Sequence, residues 1–118
     1  MTEGRLEVLS KRLRRFAQER DWEQFHSPKN LSMALIAECA ELVEHFQWLT
    51  EAQSHALPAD KLAEVELEMA DVQIYLLRLA DRLGVDLLDA VERKIVCNEQ
   101  KYPAERVRGS AKKYTEYD

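Results

Sequence analysis

Apolar residues recur at Leu6, Leu9, Leu13 and Phe16, and this spacing of three or four predicts a first helix from about Glu3 to Glu19. Lys11, Arg12, Arg14 and Arg15 fill the opposite positions and read as a solvated face. The stretch from Asp21 to Ser27 breaks the period. Ser27 followed by Pro28 matches an N-cap with proline at the first helical position, so a second helix starts there. Its stripe of Leu31, Leu35, Cys39, Leu42, Phe46 and Leu49 implies a helix of about twenty residues, followed by a polar, proline-containing loop from Thr50 to Ala59. Asp60 is the expected cap of a third helix, which carries Val65, Met69, Val72, Leu76, Leu79 and Leu83 and closes on a left-handed Gly84. Asp86 then caps a fourth helix with Leu87, Ala90, Val91, Ile95 and Cys97, and Pro103 stops it. From about residue 104 to 118 the period is lost, and an arm or disordered tail is expected.

The pattern therefore predicts an all-α antiparallel four-helix bundle. A chain of 118 residues suits one compact domain, 1–118, and carries more apolar helix face than it can bury, so self-association into a homo-oligomer is expected. Composition narrows the function. Only three Gly and three Pro agree with long helices. With 22 acidic against 17 basic residues, the net charge of -5 disfavours a nucleic acid polymer as partner. No apolar run is long enough for a membrane span, and the N-terminus lacks the apolar stretch of a signal peptide, so a cytoplasmic protein is expected. Cys39 and Cys97 fall in helical patterns without CxxC spacing and are expected as buried core thiols.

Helices two and three share an acidic motif. Aligning Leu35, Leu42 and Leu49 with Val65, Val72 and Leu79 matches Glu38 to Glu68 and Glu41 to Asp71, in the local sequences Glu-Cys-Ala-Glu and Glu-Met-Ala-Asp. A spacing of three places both acids of each motif on one side of its helix, with Glu38 and Glu68 at the edge of the apolar stripe. One such pair is common on an exposed helix face. The phased doubling is what points to a site, because four carboxylates converging in a poorly solvated cleft cost several kcal/mol per ion unless cations compensate. Magnesium prefers carboxylate oxygens and keeps positions open for water and phosphate. Di-iron bundles use Glu-x-x-His instead, and position 42, three before His45, is Leu.

With these motifs the sequence resembles the MazG-like, all-α nucleoside triphosphate pyrophosphohydrolases, whose mark is Glu-x-x-Glu on one helix and Glu-x-x-Asp on the next. It resembles their dCTP pyrophosphatase branch through Arg20 to His26, Pro28-Lys29-Asn30-Leu31, Phe46-Gln47-Trp48, Asp71 to Leu76, Tyr102-Pro103-Ala104 and Lys112 to Thr115. The resemblance implies a triphosphate bound with Mg2+ and hydrolysed between its α- and β-phosphoryl groups, with Glu38, Glu41, Glu68 and Asp71 as metal ligands and catalytic residues. It also implies that Trp22, Phe25, His26 and Trp48 form a wall for the base. Lys94, Asn98 and Tyr102, spaced by four, would share one face of the fourth helix. There Lys94 neutralises phosphate charge, Asn98 bonds sugar or base, and Tyr102 donates to a phosphate oxygen. Tyr75, one turn after Asp71, borders the pocket or packs. Glu41 is the expected general base, since it lies farther from the seam than Glu38. The alternatives are a dUTPase-like diphosphohydrolase and a non-catalytic helical module that binds metal or nucleotide.

Overall fold

The computed structural model describes residues 4–111 and Thr115. Its elements are α1 (Arg5–Glu19), α2 (Pro28–Glu44), α3 (Glu51–Ser54), α4 (Ala59–Leu83), α5 (Leu87–Lys101) and α6 (Ala104–Val107), with one 3-10 turn at Glu23–Phe25 and no strand among the described residues. The chain forms two compact units, Met1–Val85 and Asp86–Asp118. In the first, α2 and α1 both pack along α4. Among the described residues the buried apolar ones are Ala17, Leu31, Val65, Leu77 and Ala80, a thin core.

Local chemistry places the helix ends. Asp21 adopts a left-handed φ of 55°, and the amides of Asp21 and Trp22 donate to the carbonyls of Gln18 (3.1 Å) and Ala17 (2.9 Å). This closes α1 as glycine commonly does, and the Gln24 side chain holds the turn by donating to the Asp21 carbonyl and carboxylate. Ser27 Oγ accepts from the Asn30 amide at 3.1 Å, with Pro28 behind it, and α2 begins as expected. Gly84, at φ 68°, terminates α4, and the Asp86 side chain caps α5 through the Asp89 amide.

Several expectations are corrected. The helix α2 ends at Glu44, so Phe46 and Leu49 lie in the following turns rather than on its stripe. The expected loop after it contains α3, whose N-cap Thr50 forms a reciprocal capping box with Gln53: Thr50 Oγ1 accepts from the Gln53 amide at 3.1 Å, and the Thr50 amide donates to Gln53 Oε1 at 2.9 Å. Pro58, not Asp60, occupies the N-cap of α4; Asp60 sits in its first turn, where a negative charge meets the helix dipole favourably. Met69 and Leu83 on α4, and Leu9 and Phe16 on α1, are exposed, while the small Ala17 takes the buried place. Cys39 and Cys97 are free thiols and only half-buried. The expected tail holds α6, and its residues 112–114 and 116–118 lie outside the described residues. Among the described residues no helix is long and apolar enough to cross a membrane.

Candidate active site

The acidic motifs converge where α2 meets α4. Glu38 and Glu41 from α2 and Glu68 from α4 each bring one carboxylate oxygen within 4.8 Å of the others. Glu38 and Glu68 are half-buried, and each has an Oε2 atom shielded from solvent with no hydrogen-bond partner among the described residues. Such orphaned anionic oxygens are unfavourable unless a cation or a proton reaches them. Burial pushes the Glu38 carboxyl up to about 7, reinforced by the neighbouring Glu41 carboxylate and by the charges of Asp71 and Glu68. Glu68 is raised for the same reasons, burial first, with Glu41 and Asp71 beside it and His45 opposing. Asp71 is half-buried and belongs to this field, although the three-acid cluster closes without it. The donor set consists of hard oxygens and can hold a divalent cation.

His45, at the C-cap of α2, lies between two acids of α4. Its Nε2 is 3.8 Å from Glu68 Oε1 and its Nδ1 is 3.8 Å from Glu64 Oε2, which Lys61 also approaches at 3.5 Å. The sequence pattern had excluded His45 from a Glu-x-x-His motif and gave no sign of this placement.

The aromatic segment is only partly gathered. Trp22 meets Phe16 edge-on at 5.6 Å and lies 6.3 Å from His26, with the rings tilted by 57°. Phe25 is exposed. Trp48, in the turn after α2, is 86% exposed, and no ring contact among the described residues joins it to Trp22 or His26. Tyr75 is half-buried on α4. In the second unit Lys94 and Asn98 are exposed on α5, but Tyr102 is its C-cap at φ -125°, ψ 66°, where the backbone has left the helix. Tyr102 thus follows Asn98 by four positions at the end of that helix. Its amide donates to the Asn98 carbonyl at 2.8 Å.

A charged network under the aromatic segment went unread in the sequence. Arg78 is 3% exposed. Its Nη1 donates to Asp81 Oδ2 at 2.9 Å, and its Nη2 donates to Glu23 Oε1 and lies 3.5 Å from His26 Nδ1. Arg82 donates to Glu23 Oε2 at 2.8 Å and to the His26 carbonyl at 3.1 Å, and Arg14 donates through Nε (3.0 Å) and Nη2 to Asp81. The available signal was an arginine inside the apolar run Leu76-Leu77-Arg78-Leu79-Ala80.

The MazG-like family profile matches residues 34–117. The chain is 48% identical to mouse (Mus musculus) dCTP pyrophosphatase 1 over 116 residues, 97% of this chain and 68% of that protein. It is 45% identical to the human (Homo sapiens) dCTP pyrophosphatase 1 over the same shares. The crystal structure of a pyrophosphatase from Archaeoglobus fulgidus superposes with a TM-score of 0.82 at 40% identity, covering 87% of this chain and 96% of that one.

Proposed function

The chain belongs to the MazG-like family, and from that premise we propose that it is a nucleoside triphosphate pyrophosphohydrolase that converts dCTP to dCMP and pyrophosphate. The observation that carries the reading is the cluster of Glu38, Glu41 and Glu68, with two shielded, unpartnered oxygens, in a chain so similar to dCTP pyrophosphatases.

The all-oxygen donor set and its uncompensated charge fit magnesium, which Glu38, Glu41, Glu68 and Asp71 would hold. When bound, magnesium neutralises phosphate charge and makes a coordinated water more acidic. Glu41 is exposed, whereas Glu38 and Glu68 are half-buried, so we assign Glu41 to accept the proton of the attacking water as the bond between the α- and β-phosphoryl groups breaks. Lys94 and Tyr102 are assigned to the phosphates and Asn98 to the sugar or base, while Trp22, His26, Trp48 and Tyr75 border the base. We read 1–118 as one MazG-like domain. Exposed Met33, Ile36 and Val43 on α2 and Leu62, Leu67 and Met69 on α4 support a homo-oligomer, dimer or tetramer.

The test is pyrophosphate release from each common and 5-modified nucleotide with magnesium. The expected best substrate is dCTP or a 5-modified dCTP. Preference for dUTP would move the chain to the dUTPase-like alternative, and no release from any nucleotide would leave a non-catalytic module.

A further inference from the structure

Arg78 is a buried cation without an evident catalytic duty, yet it touches the one histidine assigned to the base wall. Its guanidinium is held from two sides, by Asp81 at Nη1 and by Glu23 at Nη2, and Glu23 is itself held by Arg82. The guanidinium therefore has little freedom to turn away from His26, whose Nδ1 lies 3.5 Å from Nη2. Guanidinium nitrogens only donate. A hydrogen on Nδ1 would set N–H against N–H beside a positive charge, whereas the Nδ1 lone pair is favoured there. The hydrogen of a neutral ring must then sit on Nε2.

We propose that Arg78 is a positioning residue that fixes His26 as the neutral Nε2–H tautomer, so that the base wall offers a hydrogen-bond donor suited to the O2 and N3 acceptors of cytosine. The proposal rests on the reading of His26 as a base neighbour. Thymine and uracil carry a hydrogen on N3, which would meet the same donor head-on, so the tautomer bears on base choice as well as on packing. The charged groups facing His26 are Arg78, Arg82 and Glu23. Burial is the largest influence and lowers its pKa, Arg78 and Arg82 act the same way, and Glu23 opposes them, so the surroundings favour the neutral ring.

Two measurements test this. Long-range 1H–15N NMR of the 15N-histidine-labelled wild type, with His26 assigned by His26→Gln, reads the tautomer without any substrate. A pyridine-type Nδ1 and a pyrrole-type Nε2 at pH 7 are expected. An Nδ1–H tautomer or an imidazolium overturns the proposal. Kinetics of Arg78→Met should then show the kcat/KM preference for dCTP over dTTP falling roughly tenfold, as loss of one hydrogen-bond match implies, with Arg78→Lys retaining part of it. A folded Arg78→Met that loses activity equally on both nucleotides, or keeps the wild-type preference, overturns it too. If Arg78→Met does not fold, the wild-type tautomer decides. If the wild type hydrolyses neither nucleotide, the proposed activity falls while the NMR result still judges the role of Arg78.

Discussion

The two halves of α4 treat charge in opposite ways. Toward its start, Glu68 and Asp71 join Glu38 and Glu41 with only His45 nearby, and two carboxylate oxygens are shielded and unpartnered among the described residues. Toward its end, Arg78, Asp81 and Arg82 join Arg14 and Glu23 in alternating order, each carboxylate bridged by two guanidinium groups. The arginine cluster balances its charges within the polypeptide, although Arg78 Nε is also shielded without a hydrogen-bond partner among the described residues. The acidic cluster balances its charge only with something added, and this difference in charge separates a structural polar network from a binding site more sharply than acidity or burial alone.

The largest effect should come from the open cluster. Glu68→Gln removes an anionic oxygen without changing the fold, and dCTP turnover with magnesium should fall by roughly three orders of magnitude, since metal-borne charge stabilisation is worth several kcal/mol. Undiminished turnover by a folded variant would show the cluster to be ornamental. Next in size is a break in the closed network. Asp81→Asn leaves the buried Arg78 short of a counter-charge and should lower unfolding free energy by about 3 kcal/mol, read from urea denaturation. Acid should act in the same direction, because the Arg14 hydrogen bond and the charges of Arg14 and Arg78 hold Asp81 below its ordinary value. A depressed folded-state pKa gives stability that is present above the unfolded value of about 3.9 and is lost as pH falls through the folded one.

Smaller, and opposite in sign, is the response of the metal-free acidic cluster. Glu38 rises from 4.5 to about 7 on folding, so its charged form opposes folding above that pH, and the penalty is relieved as pH falls from about 7 toward 4.5. Metal-free protein should therefore melt at a higher temperature at pH 6 than at pH 8, and Glu38→Gln should melt higher than wild type at pH 8. A lower melting point for Glu38→Gln would mean that the cluster is internally compensated after all. The smallest effect belongs to the Arg93–Asp89 pair of α5, 2.9 Å apart but in water on both sides: Arg93→Ala should shift stability by no more than about 0.5 kcal/mol.

Features written in neighbouring residues were legible in the sequence. Ser27-Pro28, Gly84 and Asp86 mark helix ends by chemistry that acts within four residues, and the acids of α2 and α4 share a side because their spacing of three is a helical one. Thr50-x-x-Gln53 was equally local and marks the start of α3; continuing the apolar stripe to Leu49 obscured it, since Phe46 and Leu49 keep the period after the backbone has left the helix. The Arg78 network was not legible. An arginine within an apolar run calls for a buried counter-charge, but Glu23 stands 55 positions away, and only the packing of α4 under the aromatic turn selects it. Exposed Met69 and Leu67 were hidden for a related reason: periodicity reports which residues are apolar and leaves open which of two apolar faces the same chain covers.

The position of Trp48 has an optical consequence. The chain has two tryptophans, one 86% exposed and one edge-packed on Phe16 at 43% exposure. Excited in water, Trp48 emits to the red and meets a dissolved quencher freely, whereas Trp22 is partly screened. Covering Trp48, whether by a stacked base or by another subunit, would shift its emission to the blue and close it to iodide. In a Trp22→Phe background that single fluorophore becomes a reporter, and a titration with nucleotide at fixed protein concentration, set beside a dilution series without nucleotide, tells from its colour which of the two lies against it.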